Sequence, residues 1–139
     1  INYSQQHGVV RVTFRGQAEK HPTRQLAISR GVISMAESIH ADAIVAETKT
    51  GATVMNIASE RPDVPIIAVT DSDRTAQQLA IVYDVKSYVR PISARAAQKI
   101  TDFMQQEHVF NKGDIIVMVS GKQPGVVGTT DTIKIRQLD

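Results

Sequence analysis

Short apolar runs in this chain alternate with longer segments whose apolar residues recur at helical spacing. A continuous apolar run of a few residues is typical of a buried strand, whereas recurrence every three or four residues is typical of a helix with one buried face. On this basis we predict strands at residues 43–47, 65–70, 85–89 and 115–119. We predict helices at residues 22–40, 51–60, 71–83 and 93–109.

The order of these elements predicts an α/β fold. A strand, a helix and a second strand within one sheet form a parallel, right-handed unit. The last segment, residues 132–138, alternates isoleucines with Lys134 and Arg136, which is typical of an edge strand with one solvated face. We therefore predict a three-layer α/β/α sandwich, built on a mostly parallel five-stranded sheet with an antiparallel edge strand.

The predicted domain covers residues 22–139, and the residues before it differ in character. Residues 10–15 alternate apolar and polar side chains like a half-exposed strand, whereas residues 16–21 are polar and show no pattern. Residues 1–21 are therefore either a linker or an added edge segment. The first residue, Ile1, is not a methionine, which is consistent with a chain that was cut from a longer protein or processed, and leaves a fragment and a stand-alone protein as alternatives.

A predicted strand passes into a predicted helix through the six residues Thr48-Lys49-Thr50-Gly51-Ala52-Thr53. The start of a helix exposes backbone N–H groups and the positive end of the peptide dipoles, and both attract anions. Hydroxyl groups, one ammonium group and a glycine that lets the backbone approach a ligand strengthen this attraction. The segment is either a cradle for a phosphorylated small molecule or a helix cap formed by a threonine.

Ligands of such sheets bind beyond the carboxyl ends of the strands, where four loops are predicted to meet. These loops are residues 48–53, residues 70–73, the turn after Val89 and residues 120–130. The last one is either a flexible lid over a ligand or simply the connection between two strands. Arg90 is a candidate for a second anion contact, with a solvated guanidinium as the alternative. The candidate lid residues are Gly121, Lys122, Pro124, Gly125, Gly128 and Thr129.

Composition narrows the function classes. The 139 residues are 42% hydrophobic, enough for one domain with its own core, and no apolar stretch is long enough to cross a membrane. The absence of cysteine excludes disulfides and cysteine-based metal or nucleophile sites, and the four histidines share no metal-ligand spacing. A formal charge of +2 on scattered basic residues is a poor footprint for nucleic acid. We expect a cytoplasmic protein with no metal site and no nucleic-acid or membrane partner.

Two groups of residues resemble the C-terminal domain of the pyruvate kinases. The first group comprises residues 48–53, Arg61-Pro62, residues 65–70 and Arg74-Thr75-Ala76. The second comprises residues 113–121, Pro124-Gly125 and residues 128–133. Both groups occur in the family's order and spacing between about residues 22 and 138, which makes the resemblance specific.

This resemblance implies a regulatory domain rather than a catalytic one. In pyruvate kinases, phosphate passes between phosphoenolpyruvate and ADP in a barrel domain that this chain lacks, so we expect no catalytic residue and no cofactor in this domain. The family's C-terminal domain binds an allosteric activator, which is a sugar phosphate or a nucleotide depending on the enzyme. It also forms subunit contacts in a homotetramer.

The same resemblance implies roles for individual residues. Thr48, Lys49, Thr50 and Thr53 match the loop that holds an effector phosphate, Gly51 matches its close-approach glycine, and Ala52 lies between them. Gly125, Gly128 and Thr129 match the loop that closes over the effector. An arginine that helps some family members to bind fructose bisphosphate falls near Arg95, which is a further candidate for an anion contact.

Three function classes remain open at this point. The expected one is a regulatory module that binds a phosphorylated effector and self-associates through the strand at residues 132–138. It would also contact the catalytic barrel of a parent enzyme if the chain is a fragment. The second class is a separate enzyme, which would need Asp71, Asp73 or Asp131 as a general base. The third is an oligomerisation domain whose effector site is vestigial.

Overall fold

The computed structural model describes residues 11–13, 21–91, 95–121 and 130–139. Within these ranges the chain forms six strands and four helices. The strands are β1 (Arg11–Thr13), β2 (Ala43–Glu47), β3 (Ile66–Thr70), β4 (Val85–Val89), β5 (Ile115–Gly121) and β6 (Thr130–Gln137). The helices are α1 (His21–Ser38), α2 (Ala52–Ser59), α3 (Asp73–Leu79) and α4 (Ala96–Gln106).

One sheet contains all the described strands, in the order β1-β6-β5-β2-β3-β4. Strands β5, β2, β3 and β4 run parallel, whereas β6 runs antiparallel to β5. The predicted fold class, an α/β domain with a mostly parallel sheet and an antiparallel strand on one side, is confirmed. The connections from β2 to β3 and from β3 to β4 progress across the sheet in one direction, whereas the connection from β4 to β5 returns in the other. Because such crossovers are right-handed, α4 lies on the opposite face of the sheet from α2 and α3.

Two apolar clusters pack the helices against the sheet, one on each face. The first cluster joins buried side chains of α1, α2 and α3, such as Val32, Ile57 and Leu79, to one side of the sheet. The second joins the buried face of α4 to the other side of the sheet through residues such as Ile100 and Met104. Buried residues recur along α4 at helical spacing, so a single stripe of that helix faces the core.

Helix α3 is shorter than the sequence predicts. The pattern extends it to residue 83, but it ends at Leu79, and Ile81 and Tyr83 are each 88% exposed in the turn that follows. Asp84 takes a left-handed backbone conformation, with φ of 62°, and leads the chain into β4. The periodic pattern fails here because apolar side chains continue into a turn that buries few of them.

The predicted edge strand, β6, has a neighbour on its outer side. Strand β1 pairs with it antiparallel, with Arg11 opposite Lys134 and Thr13 opposite Thr132. The added strand shields backbone groups of β6 that would otherwise lie at the sheet edge. Self-association through the remainder of this strand stays a prediction.

The fold gives a direct test of the core beneath α4. Ile100 is completely buried, so Ile100→Ala should lower the free energy of unfolding by about 2–5 kcal/mol through lost apolar burial and a residual cavity. Ile81→Ala is the matched control, because the same atoms are removed from a side chain that is 88% exposed. We expect the control to change stability by less than about 0.5 kcal/mol in urea denaturation. Equal losses in both variants would contradict the placement of α4.

Candidate functional site

The candidate site lies where the strand order of the sheet reverses. From β2 the chain passes through α2 to β3 on one side, whereas β5, on the other side of β2, is reached through α4 on the opposite face. Since β2 and β5 are parallel, their carboxyl ends lie at the same edge of the sheet. This is the position at which doubly wound sheets bind ligands. Residues 48–51 follow β2 at this edge.

The loop after β2 is folded by its own threonine hydroxyls. The backbone N–H of Gly51 donates to Thr48 Oγ1 at 2.8 Å, and the N–H of Ala52 contacts Thr50 Oγ1 at 3.4 Å. The residue at the N-cap of α2 is Gly51, which makes no side-chain cap bond. Neither threonine therefore occupies the N-cap position of α2. Instead, the two threonines organise the loop that precedes the helix.

Gly51 is required by the backbone conformation of this loop. Its φ of 92° lies in the left-handed region, which disfavours side chains with a Cβ. A Cβ at this position would lie 3.4 Å from Leu79 Cδ2 and 3.5 Å from Thr75 Cγ2, which are ordinary contacts with α3. Since that Cβ would face α3, the structure gives the glycine a conformational role in addition to the ligand-approach role that the resemblance implies.

Two contacts tie Lys49 to the segment that follows β3. The Thr75 hydroxyl donates to the backbone carbonyl of Lys49 at 3.0 Å. The Lys49 ammonium forms an ion pair with Asp71, with Nζ 3.2 Å from Oδ2 and 3.5 Å from Oδ1. Thr75 is buried, whereas the side chains of Lys49 and Asp71 are 41% and 29% exposed. The lysine therefore has a fixed backbone and an accessible, already paired ammonium group.

The first turn of α2 begins directly beside this lysine. The earliest helical hydrogen bond runs from the N–H of Met55 to the carbonyl of Gly51, at 2.9 Å. The amide groups before Met55 belong to the first turn, where the helix itself supplies no acceptor and the helix dipole is positive. Ala52 is exposed at this end of the helix and Thr53 is buried. Residues 48–53 thus run without a break from the end of β2 into the first turn of α2.

Glu47, the last residue of β2, faces the opposite side of the sheet from α2. Its Oε2 accepts a hydrogen bond from the N–H of Ala97 in the first turn of α4, at 3.3 Å. Burial raises the pKa of Glu47 to about 6, although the Ala97 hydrogen bond acts in the other direction. The Glu47 carboxyl group, with this raised pKa, thus lies at the same edge of the sheet as Lys49 but on the face that α4 covers.

The two candidate arginines both have contacts with α4. The Arg90 guanidinium lies over the rings of Phe103 and Tyr88, at 5.2 and 5.7 Å from their centres, and donates to the carbonyl of Val89. It therefore packs against α4. Arg95 is exposed at the start of α4, with Nε 3.4 Å from the Gln98 side-chain oxygen. Their proposed anion contacts stay predictions.

The candidate lid is mostly outside the described residues. Gly121 is the last residue of β5 and pairs with Thr130 of β6, next to an irregularity between Ser120 and Gly121. Lys122, Pro124, Gly125, Gly128 and Thr129 all lie outside the described ranges. The lid function of this loop remains a prediction. The predicted start of the last helix, at residue 93, is likewise outside the described ranges, and the described helix α4 begins at Ala96.

Sequence reasoning missed two contributors to the site, namely the ion-pair role of Asp71 and the loop anchor Thr75. It also missed the raised pKa of Glu47 on the other face of the sheet. The pairing of Lys49 with Asp71 had a signal, because the two opposite charges follow neighbouring parallel strands. The role of Thr75 had none, since its contact depends on how closely α3 approaches the loop. Within the described parts of the chain, no cluster of histidine and acidic residues could hold a metal ion. Nor is any helix there both long and apolar enough to span a bilayer.

Comparison with known proteins identifies relatives of this chain. The family described as "Pyruvate kinase, alpha/beta domain" matches residues 23–136. Pyruvate kinase 2 of Synechocystis sp. is 38% identical over 112 residues, covering 78% of this chain and 19% of the relative. The pyruvate kinase of Eimeria tenella is 31% identical over 138 residues, covering 97% of this chain and 25% of the relative. The chain thus spans about a fifth to a quarter of the length of these curated relatives.

The left-handed conformation of Gly51 predicts a ranked series of stabilities. Gly51→Ala should cost about 1–2 kcal/mol of unfolding free energy, because an L-residue with a Cβ is strained at this φ. Gly51→Asn should cost less, since asparagine tolerates this region, and Gly51→Val should cost most. Urea denaturation of the three variants measures the order. A valine variant as stable as the asparagine variant would contradict the assigned backbone conformation.

The raised pKa of Glu47 predicts a specific pH dependence. In the folded protein the carboxyl group titrates at about 6, above its ordinary value of 4.5, so the protonated form is favoured by folding. Above pH 6 the charged form therefore costs stability, and this cost disappears as the pH falls from 6 to 4.5. Glu47→Gln should stabilise the protein at pH 7.5, by about 1 kcal/mol after allowance for partial exposure. Its advantage should vanish at pH 4.5.

The measurement is the difference in unfolding free energy between Glu47→Gln and the wild type at a series of pH values. Glu60→Gln is the control, because Glu60 is an exposed glutamate at the end of α2 and its replacement changes the net charge by the same amount. A stability difference for Glu47→Gln that does not vary with pH would show that Glu47 is not the titrating group.

Proposed function

Because this chain belongs to the pyruvate kinase family through the alpha/beta domain, we propose that it is a regulatory domain that binds a phosphorylated effector at residues 48–53. The observation that carries this proposal is the ammonium group of Lys49, which already holds an anionic oxygen, that of Asp71, beside the first turn of α2. A phosphate oxygen, like that carboxylate oxygen, is a negatively charged hydrogen-bond acceptor. The proposed ligand is a sugar phosphate or a nucleotide.

Three properties of the site support a phosphate ligand. The ammonium group supplies charge-assisted hydrogen bonds, which are stronger than those between neutral groups. The N–H groups and dipole of the first turn of α2 favour a negative charge. The hydroxyl groups of Thr48 and Thr50 accept from the backbone, so their own protons are available to donate to a ligand oxygen.

A regulatory role accounts for the site better than catalysis does. A general base must reach the proton that it removes. Asp71 is held by Lys49, and Asp73 lies in the first turn of α3, where an acidic side chain stabilises the helix dipole. We propose that the phosphotransfer implied by the relatives' names belongs to the larger part of those proteins that this chain does not match.

Subunit contact is the second part of the proposed function. The resemblance implies self-association near the last strand, and the described pairing of β1 with β6 covers Thr132–Lys134 on the outer side. We propose that a second copy of the chain contacts this C-terminal strand. Strand edges favour such contacts, because a partner strand satisfies their backbone groups.

The proposal predicts that Lys49→Gln weakens effector binding while the fold is retained. Loss of a charge-assisted hydrogen bond costs about 1.5–3 kcal/mol, which corresponds to a decrease in affinity of roughly tenfold or more. The measurement is calorimetric titration with glucose 6-phosphate, fructose 1,6-bisphosphate and AMP. A ligand that binds the folded state should also raise the melting temperature of the wild type.

Lys112→Gln is the matched control for this experiment. Lys112 is exposed in the turn before β5, at the opposite edge of the sheet from residues 48–53, and its replacement removes the same charge. The control should bind each compound as the wild type does. If Lys49→Gln and Lys112→Gln weaken binding equally, the contribution is a general charge effect and the proposed site is wrong.

A further inference from the structure

In the Lys49–Asp71 ion pair, a carboxylate of the protein contacts the same ammonium group that the proposed effector would bind. The carboxylate approaches Nζ with both oxygens, at 3.2 and 3.5 Å, as an anionic ligand would. Both side chains are partly exposed, so the pair lies in a region that a solute can reach. An ammonium group has three N–H donors, so a phosphate at Lys49 either binds beside Asp71 or displaces it, and in both cases it lies close to a carboxylate.

The contact can change while the loop stays in place. The backbone of Lys49 is held separately, by the buried hydroxyl of Thr75 on its carbonyl oxygen. The following turn is held by the hydrogen bond from Gly51 to Thr48 Oγ1. Neither bond involves the lysine ammonium, so Nζ can exchange one anionic partner for another by rotation of its side chain alone.

We propose that Asp71 is an autoinhibitory counterion of the effector site, which occupies Lys49 in the ligand-free protein and sets the affinity for anions. This inference rests on the function proposed above and adds a residue that lowers ligand affinity. An incoming phosphate must either displace this carboxylate from the Lys49 ammonium or bind beside it. It must then bind with that carboxylate close by, and the two like charges repel each other.

Simple electrostatics gives the size and form of the effect. An exposed ion pair shifts an equilibrium by up to about fivefold, and repulsion between Asp71 and a bound dianion adds a comparable factor. Removing the Asp71 charge should therefore tighten phosphate binding by roughly three- to twentyfold. The gain should increase with ligand charge. It should also diminish at high ionic strength, because salt screens exposed charges.

The test compares Asp71→Asn with the wild type of this chain, using two probes of different charge. Glucose 6-phosphate carries nearly two negative charges at pH 7.5, and glucuronate, a sugar with a carboxylate, carries one. We expect Asp71→Asn to bind glucose 6-phosphate more tightly by the factor above, and glucuronate by a smaller factor. The salt dependence of glucose 6-phosphate binding should be steeper in the variant, because the wild-type ion pair is neutral as a whole.

Asp73→Asn is the matched control. Asp73 is an exposed aspartate two residues further along, in the first turn of α3, and the described structure gives its side chain no contact with Lys49. Its replacement removes the same charge from the same segment, so a change of less than about twofold is expected. Asp71→Ser provides a second variant should the asparagine alter the turn, and circular dichroism verifies the fold of each.

The outcomes separate this inference from the proposed function. Unchanged or weaker binding by Asp71→Asn, or an equal gain in Asp73→Asn, overturns the counterion role while leaving the effector site in place. If the wild type, Asp71→Asn and Asp71→Ser all fail to bind any phosphate compound, the proposed function fails and the counterion role with it. In the Lys49→Gln background, Asp71→Asn should give a markedly smaller gain, because no ion pair is then released.

Discussion

Parallel hydrogen bonding of β2 to its two neighbours determines the position of the candidate site. The pairings of β2 with β3 and with β5 align the carboxyl ends of these three strands at one edge of the sheet. Hydrogen bonding between β2 and β3 continues one residue past β2, since the N–H of Thr48 donates to the carbonyl of Val69 at 2.9 Å. This register brings Lys49 within reach of Asp71 and sets the start of α2 opposite α3. A shift of β2 by one residue would turn its buried side chains to the other face and separate these groups.

Opposite requirements meet at the end of β2. The strand is buried on both faces, and burial raises the pKa of Glu47 at its end. A hydrogen bond from the backbone of α4 to the Glu47 carboxylate partly offsets this effect. One residue later the chain must leave the sheet, and it does so through hydroxyl side chains and a left-handed glycine. Polar residues and a left-handed glycine occur together here, whereas the interior of the sheet is apolar. Local breaks of this kind in an apolar pattern are common at functional sites.

The sequence was most informative where side-chain pattern and burial coincide. Residues 43–47 and 85–89 were predicted with the bounds that the structure shows, because the strands are bordered by turn residues on both sides. The end of α3 was not predicted, since Ile81 continues the apolar pattern into an exposed turn. The loop at residues 48–53 was predicted as a unit, but the partners of Lys49 and Glu47 depend on which helix covers each face. A linear pattern does not contain that information.

The separate anchoring of the Lys49 backbone has a consequence for kinetics. Because Thr75 and Thr48 hold the main chain, an arriving anion has to reorganise only exposed side chains, which rotate within picoseconds to nanoseconds. Exchange of partners at the ammonium is then much faster than diffusional encounter at ordinary concentrations. Within the proposed function, the counterion would leave the association rate close to its encounter limit and act mainly by shortening the residence time of the ligand. A site built in this way follows changes in metabolite concentration quickly, since bound ligand is released soon after the surrounding level falls.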